Sequence, residues 1–208
     1  MSTPATAYFS HPNCLRHDMG DGHPEQPARM ATIEASLRAE GIWDRLLHRT
    51  APPATPEQLG RVHSAGHLDH LAEAAPRPGA PSAWLDGDTA LNAHTLDAAA
   101  HAAGAVVAAV NAVLGGEAAT AFCNVRPPGH HAERDRAMGF CFYNNVAVAA
   151  AHALEAHNLD RVAILDFDVH HGNGTEDIVA GDERFLFCSS FQHPFYPHTG
   201  HDCKAANV

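Results

Sequence analysis

The spacing of apolar residues divides the chain into a loosely patterned first half and a regular second half. Met30, Ile33 and Leu37 recur at helical spacing with Gly41 as a stop, which predicts a first helix after a loop, His11 to Pro27, rich in Gly, His and Pro. Leu68 to Ala75 predicts a second helix. Three prolines and a glycine between Pro76 and Pro81 force a surface turn, and Asn92 to Leu114 reads as a long helix ending at Gly115-Gly116. From there the pattern alternates. Ala119 to Val125 is a short apolar run of strand length, Asn144 to His157 is helical and Val162 to Phe167 is a second buried strand. A short helix near Thr175 to Ala180 precedes a third strand, Phe185 to Ser189. Strands that alternate with helices imply right-handed crossovers, so the expected class is α/β with a parallel sheet.

Polar clusters follow each of these strands. Arg126-Pro-Pro-Gly-His130-His131 follows the first, Asp166-Phe-Asp168-Val-His170-His171-Gly172-Asn173 ends the second, and Ser189-Ser190 ends the third. The carboxyl ends of parallel strands lie along one sheet edge, so one site is expected from three loops. Period-two alternation would turn Asp166, Asp168 and His170 to one side, where carboxylate and imidazole are good zinc ligands. A capped strand end with surface polar groups would explain any one of these residues, but two Asp and two His within six positions point to a metal. Pro127-Pro128-Gly129 supplies a rigid and then permissive backbone that lets the adjacent His130 and His131 both face the crevice, and a neutral imidazole is a ready general base. The aromatics of Gly139-Phe140-Cys141-Phe142-Tyr143 suit either an apolar channel or simple core.

Composition narrows the classes. Among 208 residues, 45% are hydrophobic and 18% charged, enough apolar material to fold. The linkerless sequence predicts one domain over residues 1 to 208, or a piece of one. The net charge of -11, with no cluster of Lys and Arg, speaks against direct nucleic-acid binding and suits a cationic partner such as a lysine side chain or a polyamine, although acidity also serves solubility. Cys14, Cys123, Cys141, Cys188 and Cys203 are odd in number and form no CxxC pair, which predicts reduced thiols and a cytoplasmic protein. The first residues lack a signal-peptide pattern, and Ala98 to Leu114 is interrupted by His101, Gly104 and Asn111, so no membrane association is expected. The pattern leaves the oligomeric state open.

Six collinear segments resemble the histone deacetylase family, its class II and bacterial members most closely: His17 to Glu25, Asp86 to Thr89, Arg126 to His131, Gly139 to Asn145, Ile164 to Thr175 and Phe195 to Gly200. The resemblance implies a three-layer, arginase/deacetylase-like fold with a central parallel sheet flanked by helices, and zinc-dependent hydrolysis of acetyl-lysine or an acetylpolyamine. It implies that Asp168 and His170 are two of three zinc ligands, and that His130 and His131 are the paired histidines beside the attacking water. Asp166 would hold His130 and Asn173 would stand beside His131. Gly139, Phe140 and Tyr196 would line the substrate channel, with Asp86 near its rim. A potassium ion would be held by Asp166 and Ser189 side chains and by carbonyls of Asp168, His170 and Ser190.

Two parts of the family pattern, a second zinc-binding Asp and an oxyanion tyrosine, belong to segments past the third strand and find no match here. The expectation is an amino-terminal portion of the domain, incomplete at its carboxyl end and nearly inactive by itself. His201, Asp202 and Cys203 are potential ligands at positions that match no ligand place in the family. Phe191 and His198 stand where many relatives have His and Gly. Two other readings fit parts of the sequence. Asp166-Phe-Asp168 after an apolar strand also resembles the nucleophile pair of a haloacid-dehalogenase-like phosphatase, which leaves the histidine pair unexplained, and a non-catalytic acyl-lysine-binding protein would use the same channel without turnover.

Overall fold

The structure, a computed structural model, describes residues 5–202. In chain order its elements are β1 (Thr6–Ser10), α1 (Ala28–Ala39), β2 (Leu46–Thr50), α2 (Pro56–Gly60), α3 (Ala65–Ala74), β3 (Ala83–Trp84), β4 (Ala90–Leu91), α4 (Thr95–Leu114), β5 (Thr120–Cys123), α5 (Asn145–His157), β6 (Val162–Asp166), α6 (Asn173–Val179) and β7 (Phe185–Ser189). A parallel sheet runs in the order β2-β1-β5, a second parallel pair is β6-β7, and β3 and β4 form a short antiparallel hairpin.

Layers follow from which residues each strand turns to each side. Ala7 and Phe9 of β1 pack on Ala105, Ala109 and Ala112 of α4. Tyr8, between them, points the other way and donates to Glu34 of α1 across 3.0 Å. Helices thus cover both faces of the first sheet, the three-layer α/β arrangement. Over β6-β7 the pattern is one-sided: Ile164, Phe185 and Phe187 pack with Leu154 and Val179 on α5 and α6, whereas Leu165 and Leu186 on the opposite face are exposed.

The sheet differs from the sequence expectation in one respect: β5 is not hydrogen-bonded to β6. Packing geometry gives the reason. Val107 of α4 and Val148 of α5 share one buried cluster, with α4 over β5 and α5 over β6. Packed helices stand about 8–10 Å apart but paired strands only about 4.8 Å, so strands under successive helices are not adjacent. Between them lies an apolar groove of about 580 Å³ lined by Val106, Val110, Val113, Ala121, Val162 and Ala163. By length and composition α4 could cross a membrane. Its alanine-rich surface instead lets α5, β1 and β5 approach closely, and most of its residues are buried.

Side-chain caps set the helix starts. Thr55 and Gln58 close a capping box on α2, Ser64 accepts the His67 N–H on α3, and Asn144 accepts the Ala147 N–H on α5. Asn144 also donates to the Ala132 carbonyl and to Thr175 Oγ, which ties α5 to the His131 loop and to α6. Its own N–H donates to Nε2 of buried His63, whose Nδ1 donates to the Glu133 carbonyl. That ring is fully satisfied as a neutral group.

A buried ion pair fixes the N-terminal loop. Arg126 donates from Nε and Nη2 to both oxygens of Glu25 and from Nη1 to the carbonyls of Cys14 and His17 at 2.8 and 2.9 Å. Both side chains are excluded from solvent. Burial pushes the Glu25 carboxyl up, but nearby His17, 3.4 Å away, and the hydrogen bonds and charge of Arg126 outweigh it and hold the group below its ordinary value.

Removal of one partner leaves the other charge buried alone. Arg126→Ala and Glu25→Ala are each expected to lose about 3–5 kcal/mol of stability in urea denaturation, and the double variant less than the sum. A double variant whose loss equals the sum would show that the two side chains do not act as a pair.

Acid should also weaken the fold. Burial and the nearby charge of His67 push His63 down to about 4 from an ordinary 6.5. Between those values the unfolded chain binds more protons than the folded one, so stability falls as pH falls from about 6.5 to 4, by up to about 3 kcal/mol for this group. Denaturation midpoints at pH 7.5, 6 and 5 measure it, and His63→Gln should flatten the slope.

Candidate active site

The crevice is assembled at the carboxyl ends of β5, β6 and β7. After β5 the chain passes Arg126, locked to Glu25, and turns through Pro127, Pro128 and Gly129 into His130 and His131, whose rings lie 4.0 Å apart at 39°. The adjacent rings reach different partners. His130 Nδ1 lies 2.9 Å from Asp166 Oδ2 at the end of β6, and His131 Nδ1 lies 2.7 Å from Asn173 Oδ1 at the start of α6.

Those partners settle where the protons sit. Burial pushes the Asp166 carboxyl up, yet the hydrogen bond and charge of His130 outweigh it, so the group is ionised and accepts. Asn173 Nδ2 donates to Glu133 Oε1 at 2.8 Å, which orients the amide so that its oxygen faces His131. In both histidines Nδ1 therefore carries the proton and Nε2 is free to accept one. Burial and the charge of His130 push His131 down to about 4, with an uncharged amide as its partner.

Asp168 and His170 reach the same crevice by another route than the alternation expected from the sequence. Extended structure ends at Asp166, and the chain then turns: Asp166 Oδ1 accepts the Asp168 N–H at 3.1 Å, and Asp168 Oδ1 accepts the His170 N–H at 2.8 Å. Successive Asx-type turns replace the pleat because each carboxylate captures the backbone two residues on. Asp168 Oδ1 and His170 Nδ1 end 3.0 Å apart, with both side chains partly open to solvent. Among the described residues no group of three His, Cys, Asp or Glu side chains is arranged to hold a metal. His201 and Asp202 form an exposed pair at 3.5 Å, and Cys203 lies outside the described residues.

Aromatic side chains wall the histidines. Tyr196 stands edge-on to His131, ring centres 5.1 Å apart at 88°, and Phe195 stacks on His170 at 5.1 Å and 13°. Gly139 has a φ of +55, and a Cβ there would meet the His131 ring at 2.5 Å, so backbone itself forms that wall. Phe140, also at positive φ, donates its N–H to Thr89 Oγ and packs edge-on against His23. Asp86 uses Oδ1 to accept the N–H groups of Asp88 and Thr89, so it shapes the β3-β4 turn that Thr89 presses on Phe140. Burial, then the charges of Asp88 and Asp86, push the Tyr196 hydroxyl well above its ordinary value and keep it protonated.

The remaining residues singled out in the sequence lie at the ends of β6 and β7. The Ser190 N–H donates to the Asp166 carbonyl at 2.9 Å and joins the two strand ends, while Ser189 Oγ lies 3.1 Å from His171. Sequence reasoning gave no individual role to Glu133, Asp88, Thr89, His23 or His171. All but Glu133 lie in the six family-like segments, yet their roles come from contacts across the fold.

The Histone deacetylase domain family matches residues 23–207. The chain is 38% identical to the histone deacetylase-like amidohydrolase of Pseudomonas aeruginosa over 94% of its own length and 55% of that protein. It is 39% identical to the polyamine deacetylase HDAC10 of Homo sapiens over 79% of its length and 25% of that protein. The solved HDA15 HD domain superposes with a TM-score of 0.87 at 36% identity, covering 95% of this chain and 57% of that one. The chain thus spans little more than half the length of the Pseudomonas relative and of the HD domain.

Burial holds His131 at about 4 and its neutral partner Asn173 brings no charge to oppose it, so Asn173→Asp should move the pKa upward. A pH titration of the imidazole by NMR in metal-free protein measures this, and an unchanged or lower pKa would remove residue 173 as the control.

Proposed function

This chain belongs to the histone deacetylase family, and from that premise we propose that it carries the metal-binding and proton-handling residues of a zinc-dependent amidohydrolase that cleaves an acetylated amine. The observation that carries the reading is the placing of His130 and His131, each with Nε2 free, beside Asp168 and His170.

The donor set fits zinc. Tetrahedral zinc takes carboxylate oxygen and imidazole nitrogen at about 2.0–2.2 Å, which puts two ligand atoms roughly 3.3 Å apart. Asp168 Oδ1 and His170 Nδ1, at 3.0 Å, can share one ion. A working zinc site of this kind would need a further protein ligand and an oxyanion donor besides this pair. Zinc, when bound, supplies Lewis acidity toward an amide carbonyl and acidifies water. Potassium would take Asp166 and Ser189 side chains and the carbonyls of Asp168, His170 and Ser190.

The protein's own groups move the protons. His131, weakly basic, takes a proton from the attacking water at Nε2, and its Nδ1–H stays on Asn173. His130, with ionised Asp166 behind it, stabilises positive charge and can return a proton to the leaving amine. Tyr196, Phe140 and the backbone at Gly139 confine a narrow unbranched chain. Asp86 and Asp88 near the entrance, with the net charge of -11, favour a cationic substrate, either acetyl-lysine or an acetylpolyamine. The likeness to a polyamine deacetylase supports including the second. A cytoplasmic setting is part of the proposal, supported by free Cys14, Cys123, Cys141 and Cys188.

The test is a chimera in which this chain replaces the matching part of the Pseudomonas relative, assayed on acetyl-lysine peptide and acetylated polyamine with zinc and potassium. Asp168→Ala should lose zinc and activity together. His131→Ala should keep zinc and lose roughly 10² to 10⁴ in turnover. Phe140→Ala should keep zinc and weaken substrate binding. A full zinc equivalent in the Asp168 variant, or turnover within about threefold in the His131 variant, would overturn the assignment; peptide binding without hydrolysis in the parent chimera would favour a non-catalytic reader.

A further inference from the structure

His171 takes no part in the chemistry above, yet it is 2% exposed and bonded at both nitrogens. Nε2 lies 2.8 Å from Glu176 Oε2 on α6, and Nδ1 lies 3.1 Å from Ser189 Oγ at the end of β7. A carboxylate only accepts, so Nε2–H donates to Glu176 and the ring is held between two elements.

Phe187 of β7 lies against the ring at 6.2 Å, and one loop supplies its nearer contacts. Phe191 packs against it with ring centres 4.7 Å apart, and Gly200, nine residues later, sits so close that a Cβ there would fall 2.6 Å from His171 Cγ and 2.8 Å from Phe191 Cζ. Gly200 has a φ of +88, so its missing side chain and its backbone shape are both required. The loop therefore starts and ends on one imidazole. Between those ends lie Phe195, stacked on His170, and Tyr196, edge-on to His131. Apart from Gln192 N–H to the Val169 carbonyl, at 2.9 Å, the backbone hydrogen bond found within this stretch, His198 to Phe195, is internal to the loop.

We propose that His171 is a positioning residue: it clamps both ends of the Phe191–Gly200 loop and so holds Phe195 and Tyr196 against the paired histidines, setting the width of the channel. The clamp itself is a matter of packing, whereas its consequence for substrate rests on the hydrolase reading above. Bringing loop ends together is entropically unfavourable, and the buried ring offsets that at one point. Loss of the ring frees both ends together, with Asp168 and His170 themselves unaltered.

Hydrogen exchange and limited chymotrypsin digestion of the 208-residue chain test the clamp without metal or turnover. His171→Ala and Gly200→Ala should each raise amide exchange across 191–200, and cleavage after Phe195, by about tenfold or more, with β6, β7 and α6 exchanging as in the parent. Gly200→Ala keeps both hydrogen bonds of His171, so it decides the matter even if His171→Ala disturbs the strand ends, and His171→Gln should restore part of the protection. In the Pseudomonas chimera, Gly200→Ala should raise KM several-fold with zinc content unchanged. Unchanged loop exchange in Gly200→Ala, or exchange raised equally in β6 and β7, would overturn the clamp. Loop exchange raised in a chimera that never hydrolyses amides would leave the clamp standing and remove only the hydrolase reading.

Discussion

The bidentate ion pair between Arg126 and Glu25 is the constraint on which the crevice depends. It joins the loop that precedes α1 to a point four residues before His130, and it is closed to water on all sides. A buried charge without its partner is strongly destabilising, so the N-terminal loop has one permitted place. Carbonyls of Cys14 and His17 accept both Nη1 donors of the guanidinium, and His17 in turn bonds Thr95 at the start of α4. The turn through Pro127 to Gly129 is thereby aimed before any of the site's own side chains contribute.

Within the crevice two neighbouring histidines are made unequal by what stands behind them. Asp166 gives His130 a full negative charge, while Asn173, held by Glu133, gives His131 orientation alone. Burial, more than any partner, lowers His131. One ring has a carboxylate behind it and the other an uncharged amide, a difference produced by environment.

Coverage of the sheet is uneven among the described residues. The β2-β1-β5 sheet has helices on both faces, but β6-β7 turns Leu165 and Leu186 to solvent, and an apolar groove separates β5 from β6. The chain matches 57% of the HDA15 HD domain with a TM-score of 0.87, so what is present keeps the family's arrangement. The strand-end loops hold that arrangement through Asn144, His63 and Arg126, buried polar groups bonded across the fold, and not through continuous strand pairing.

By itself the sequence determined the helices α4 and α5, the strands β5, β6 and β7, and the order of the polar clusters that follow them, because hydrophobic period and capping residues act over a few positions. It did not show β1 and β2. Thr6–Ser10 and Leu46–Thr50 carry too few apolar residues to announce strands and become so by pairing with segments about forty and more than a hundred positions away. Local alternation also misplaced Asp168 and His170, where carboxylate capture of backbone N–H groups outcompeted the pleat. Which nitrogen of His131 holds the proton, and what His171 grips, were decided only in the folded chain. Those properties rest on Glu133, Ser189 and Gly200, residues whose distance in sequence carries no information until packing brings them within a few ångströms.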